Sequence, residues 1–172
     1  MRTSLLLPLL LAVALVLSLT LGFCACGKQT DPKVLTSSGY SALAAGDYRA
    51  ALSDFNSALE QLAGKTEEPQ YKSAQLGAVE ARIHLEPKQA CQQFMALAKA
   101  MPAKITDRDY GDIAGKFASS NAFAEAVEII HAGKLAYAES PGLDKIHESI
   151  IERSQKSGDP EALSKLKGLG YL

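Results

Sequence analysis

The chain has 172 residues and a formal net charge of −1 at pH 7, which excludes the basic footprint of a nucleic-acid binder. Two of its three cysteines sit in an apolar N-terminal region, so the body holds only Cys91 and cannot be built on internal disulfides. A single thiol cannot build a zinc site either, and Cys91 reads as a small buried apolar residue.

Arg2 is the only charged residue before Lys28, and Leu5 to Phe23 is almost entirely apolar. A basic start, an apolar middle and small residues beyond it form the pattern of an export signal. The run is also long enough to span a membrane as a helix. The junction reads Leu21-Gly22-Phe23-Cys24-Ala25-Cys26-Gly27-Lys28. Cys26, between Ala25 and Gly27, resembles the lipobox cysteine of bacterial lipoproteins, whose thiol receives a diacylglyceryl group and becomes the new N-terminus. Phe23 and Cys24 stand where that family prefers Leu and then Ala or Ser. The resemblance implies that residues 1–25 are a signal peptide and that Cys26 carries the lipid. An uncleaved N-terminal anchor, or ordinary cleavage and release, are the alternatives. Acyl chains contribute about 0.8 kcal/mol per buried CH₂, so more than one gives stable anchoring. By the same family's sorting rule, Gly27 in place of Asp points to the outer membrane, with the body facing the periplasm.

Residues 26–32 form a polar tether, and helix punctuation then recurs. Asp31-Pro32, Ser140-Pro141 and Asp159-Pro160 each place an N-cap before a proline at the first helical position, and Pro69 and Pro87 can open helices in the same way. Thr106 with Asp109 resembles a capping box. Between these marks the chain is rich in Ala, Leu, Lys, Gln and Glu, all good helix formers. It lacks β-branched runs and Asn-Gly hairpins, so no sheet is expected. The set Ala51, Leu52, Phe55, Ala58, Leu59 and Leu62 falls three and four apart. A second stripe is Ala90, Phe94, Leu97 and Met101, and a third is Phe123, Ala126, Val127, Ile130 and Leu135. Such stripes are the buried faces of amphipathic helices.

These stripes repeat. Gly39 is followed by Gly46-Asp47-Tyr48, Ala51, Phe55 and Ala58; Gly77 by Ala90, Phe94 and Leu97; and Ala114 by Asn121-Ala122-Phe123, Ala126, Ile130 and Gly133. The anchors Ala51, Ala90 and Ala126 lie 39 and 36 residues apart. The pattern resembles the tetratricopeptide repeat, a helix-turn-helix of about 34 residues, over residues 33–168. The run from Gly46 to Leu59 is its most specific part, and the spacing of the later units is longer than the family's. The expected fold is therefore all-α: a helix-turn-helix solenoid of three degenerate units plus a C-terminal capping helix pair, with 169–172 as a tail. The alternative is an unrelated bundle of Ala-rich helix hairpins. In the resemblance, Gly39, Gly77 and Ala114 meet Ala51, Ala90 and Ala126 closely, while Phe55, Phe94 and Ile130 fill the space between units.

No catalytic constellation stands out, and neither a metal nor a cofactor is expected. His84, His131 and His147 have no second His or Cys at metal-ligand spacing. His84 reads as a cation at a helix end and the other two as solvated or capping residues. The resemblance implies a protein-binding module whose groove is lined by the first helix of each unit. The residues it places there are Lys33, Thr36, Tyr40 and Leu43, then Tyr71, Ala74, Ala78 and Arg82, then Arg108, Gly111, Gly115 and Ala118. Tyr40 and Tyr71 would anchor a helix or extended segment of an envelope partner; the small residues otherwise serve packing alone. Thr36 and Tyr40 stand where the chaperone-binding relatives carry Lys and Asn, so chaperone tails are not the expected ligand. The other function classes are an anchored subunit of a secretion, pilus or outer-membrane assembly and, with least support, an enzyme or ligand-binding protein.

Overall fold

A computed structural model describes residues 30–172. The leader, Cys26 and most of the tether lie outside the described residues. Within them the chain is all-helical, with eight helices and no strand. They are α1 (Pro32–Ala44), α2 (Tyr48–Gln61), α3 (Pro69–Ile83), α4 (Pro87–Ala100), α5 (Asp107–Ser119), α6 (Phe123–Ala136), α7 (Pro141–Ser157) and α8 (Pro160–Gly168).

The helix starts follow from local chemistry. Asp31, Ser140 and Asp159 cap α1, α7 and α8 ahead of a proline at N1, each with its side chain accepting a backbone N–H. Thr106 and Asp109 form a reciprocal capping box at α5. Two hairpin turns share one device. Gly46 and Gly158 take left-handed conformations, φ 77° and 69°, and the next residue, Asp47 or Asp159, caps the following helix. In the third unit Asn121 occupies that left-handed place at φ 60°.

The extended contacts between helices all join neighbours one or two places away, as in a solenoid. Helices α1, α3, α5 and α7 succeed one another in one layer; α4, α6 and α8 do so in the other, and α2 packs between α1 and α3. One small core lies under α1–α3 and consists of Phe55 among Ala51, Ala58, Ala74, Ala78 and Ala81. A larger one runs from α3 to α8 around Phe94, Phe117, Ile129 and Ile130. The small and large residues at the repeated positions are both buried. Ala51, Ala90, Ala114 and Ala126 are fully buried, and so are Phe55, Phe94 and Ile130. Burying a side chain such as Phe55 stabilises the fold by about 1.5–3 kcal/mol.

The join between α4 and α5 differs from the others, because these consecutive helices lack the extended backbone contact seen at every other consecutive pair. Ile105, 1% exposed, fills the core there, and its carbonyl accepts the Tyr137 hydroxyl proton. Lys72 of α3 donates to the Lys104 carbonyl at 2.8 Å and to Asp109 at 2.7 Å, while Lys104 reaches back to the Thr66 carbonyl and Glu67, both at 2.8 Å. Polar side chains thus hold a joint that helix packing alone does not close.

Candidate functional site

The first helices of the hairpins, α1, α3, α5 and α7, form one layer, and two open recesses lie between them. The first, of about 430 Å³, is lined by Lys33, Thr36, Ser37 and Tyr40 of α1 and by Pro69, Gln70 and Ser73 of α3. The second, also about 430 Å³, is floored by Gly111 and Gly115 of α5 and bordered by Ile146 and Arg153 of α7.

The first recess gathers Lys33, Thr36 and Tyr40. Lys33 is exposed. The Thr36 hydroxyl donates to the Pro32 carbonyl at 2.8 Å, so little of it is free. Tyr40 is 39% exposed; its ring meets Phe55 edge-on at 5.0 Å and its hydroxyl donates to the Ser73 carbonyl at 2.9 Å. The aromatic face is therefore held rigidly at the rim, as an anchor requires.

The remaining groove residues do not join it. Leu43 is half-buried against the Phe55 cluster, because its place on α1 faces α2. Tyr71 lines a separate recess of about 290 Å³ with Leu97, Met101, Pro102 and Lys104, so Tyr40 and Tyr71 do not share a site. Arg82 turns toward α4, where it donates to Gln93, and its buried Nε has no partner among the described residues. Arg108 is exposed on α5 beside Asp112 at 3.6 Å. Ala74, Ala78 and Ala118 are fully buried and Gly111 lies against Ile146, so these four serve packing; only Gly115 keeps open space.

Sequence reasoning missed what borders the second recess. Lys116 is paired with Glu80 at 2.5 Å. Arg153 donates to the Ala118 carbonyl at 2.8 Å and lies over the Phe123 ring. Gly111 and Gly115 are the part of this recess expected in the groove; Asp112 and Ser119, both exposed and two turns apart on α5, could have been found as the open face of that helix, whereas the arrival of Arg153 from α7 has no local signal.

His84, expected as a helix-end cation, is exposed, whereas His131 and His147, expected as solvated or capping residues, are half-buried. His84 stacks on Tyr48 at 3.8 Å, and the partial desolvation of its ring is the chief force lowering its pKa below the usual value, which disfavours the cation at the end of α3. His131 and His147 flank Tyr171. The tyrosine hydroxyl is 2.8 Å from His131 Nδ1 and its ring is 4.6 Å from that of His147. Among the described residues nothing bonds His147 Nε2, which is buried. The end expected to fray after Gly168 is instead docked through Tyr171, whose N–H bonds the Leu166 carbonyl at 2.9 Å. Cys91 is 3% exposed, and burial, followed by the nearby Glu128, pushes its thiol up to about 12.

Among the described residues no group of His, Cys, Asp or Glu is arranged to hold a metal ion, and no helix is long and apolar enough to cross a membrane. No known family's sequence profile matches the chain, and no curated protein or solved structure is significantly similar to it.

Proposed function

We propose that this chain is a lipid-anchored interaction module of the bacterial cell envelope, a tetratricopeptide-type array that binds a peptide or helix of an envelope protein. The observation that carries the reading is the open recess between α1 and α3. A rigid tyrosine rim, an exposed Lys33 and the hydroxyl and amide groups of Ser37, Gln70 and Ser73 converge there. Such a mixed lining suits a segment that buries one side chain against Tyr40 and satisfies its backbone on the polar rim. Cys26, held in the outer membrane by its acyl chains, would present the array to the periplasm.

A second reading, a subunit of an envelope assembly, draws on apolar surface toward the C-terminal end. Leu135, expected on the buried stripe of α6, is instead 74% exposed, and Leu169 and Leu172 are exposed as well.

One experiment separates the two. The tagged full chain is purified from solubilised membranes as wild type, as Ser37→Trp to fill the recess, and as Leu135→Asp. Ser37 is exposed, so the plug leaves the core alone. Loss of a co-purifying envelope protein with Ser37→Trp and its retention with Leu135→Asp support the groove. The reverse pattern sinks the groove and favours assembly through the C-terminal end.

A further inference from the structure

The residues after α8 are held by one aromatic side chain seated between two histidines. Gly170, in the left-handed region at φ 79°, turns the chain back, and the Tyr171 N–H closes the turn on the Leu166 carbonyl at 2.9 Å. The tyrosine ring then meets His131 of α6 and His147 of α7, both edge-on, with centroids 5.9 Å and 4.6 Å away. Its hydroxyl is 2.8 Å from His131 Nδ1.

The two imidazoles respond differently to a proton. His131 keeps its bond when charged, because the ring then donates and the tyrosine oxygen accepts. His147 has no such option. Its Nε2 is buried, and among the described residues nothing bonds it. A neutral ring can carry its proton on Nδ1 and leave Nε2 a bare lone pair, but the cation has an N–H on both nitrogens. Protonation therefore buries a charged donor with no acceptor, which is costly.

The surrounding charges do not remove that cost. Burial is the chief force holding the His147 pKa below its ordinary value; Lys134 and His131 of α6 add to it, and Asp144 and Glu148 of α7 oppose it. Asp144 is itself engaged by Lys134. From α5, Gly111 meets α7 at Ile146, and Asp112 and Lys116 line the recess beside Ile146 and Arg153. From α8, Lys165 is paired with Glu128 and Glu161 with Lys88, and Lys167 is exposed.

We propose that Tyr171, His131 and His147 form a pH-sensitive latch, which holds the C-terminal segment on α6 and α7 at neutral pH and lets it go when His147 takes up a proton. With the tyrosine gone, water reaches the ring and its ordinary value of about 6.5 returns. Docking is thus full above that value and weakens as the pH falls below it, by at most about tenfold per pH unit. Release adds the tyrosine ring to the exposed Leu135, Leu169 and Leu172, so acidity enlarges the apolar surface toward the C-terminal end.

The test uses reciprocity. If protonating His147 loosens Tyr171, removing Tyr171 must ease the protonation of His147. The His147 ring resonances of the full chain are titrated in the wild type and in Tyr171→Ala, where the midpoint should rise toward about 6.5. A second measurement is the exchange protection of the Tyr171 amide, corrected for the intrinsic rate. Between about pH 7.5 and about pH 5.5 it should fall by up to about tenfold in the wild type. It should stay level in His147→Phe, which keeps a ring and cannot take a proton. If His147 titrates at the same pH with and without the tyrosine, if the wild-type protection is the same at both pH values, or if it falls as much in His147→Phe, the latch is wrong. A raised midpoint, together with a pH-dependent protection that His147→Phe abolishes, establishes it.

Discussion

Phe55 of α2 stands so close to Gly77 of α3 that a Cβ added to the glycine would fall 2.4 Å from its ring. The same ring lies 2.7 Å from the Cβ position of Gly39 on α1. One aromatic side chain is thus clamped between the first helices of two successive units, and both glycines are there to let the backbones approach it.

Alanine is the better helix former by about 1 kcal/mol, so Gly→Ala in a helix ordinarily stabilises. At Gly77 the sign should reverse, with a loss of about 1–3 kcal/mol from overpacking against a ring that has nowhere to move. Gly115→Ala, where a Cβ meets nothing within 4 Å, should gain stability. Urea unfolding of the two variants reads both signs. In a double-mutant cycle, Phe55→Leu should recover part of the Gly77→Ala loss, because the two residues touch; strict additivity would show that the ring is not the obstacle.

Lys72→Met should weaken the joint between α4 and α5. It removes the ammonium shared by the Lys104 carbonyl and Asp109, while the methionine preserves the aliphatic stem. Both groups are partly solvated, so the expected loss is modest, about 1–2 kcal/mol. Hydrogen exchange should speed up most in residues 101–106. Uniform acceleration over the whole chain would instead mean that the joint is not a local weak point.

Stability should fall as the pH drops below about 6.5. His84 and His147 both titrate below their ordinary value, chiefly because burial disfavours the charged ring, and Lys134 and His131 add to this at His147 against Asp144 and Glu148. The unfolded chain therefore takes up protons first on acidification, and the histidine contribution is full above the unfolded pKa and lost below it. The lowered carboxylates Glu67, Asp107 and Glu152 act only in a more acid range, since each stays ionised below its usual pKa. The urea midpoint measured at about pH 7.5 and about pH 5.5 should decrease, and His147→Gln should flatten the dependence. A midpoint independent of pH over that interval would contradict it.

Anchoring through Cys26 predicts a mature protein that begins at residue 26 and carries an acyl adduct in its intact mass. Cys26→Ser should accumulate as the full-length precursor. Equal processing and membrane association of the two forms would point to an uncleaved anchor or to release.

The helical class, the helix starts and the repeat were legible without the tertiary structure, because each is a short-range matter. Asp31-Pro32, Ser140-Pro141 and Asp159-Pro160 satisfy local N–H groups, and three- and four-residue spacing defines a buried face whatever it is buried against. The glycines at 39 and 77 could be read as close-approach positions, but not that both press on the same ring. The groove was legible only in part. Lys33, Thr36 and Tyr40 converge, whereas Leu43, Tyr71 and Arg82 lie on the same kinds of helix at angles that aim them elsewhere.

Sequence alone determined which segments are helices, where the hairpins turn and most of each apolar face, Leu135 of α6 being the exception, since these depend on residues within a few positions of one another. Only the tertiary structure decided which polar groups find partners. Lys72 reaches Asp109 across 37 positions, His131 reaches Tyr171 across 40, and Lys88 reaches Glu161 across 73. The angles at which successive hairpins stack set those pairings, and those angles come from the summed packing of side chains far apart in the chain.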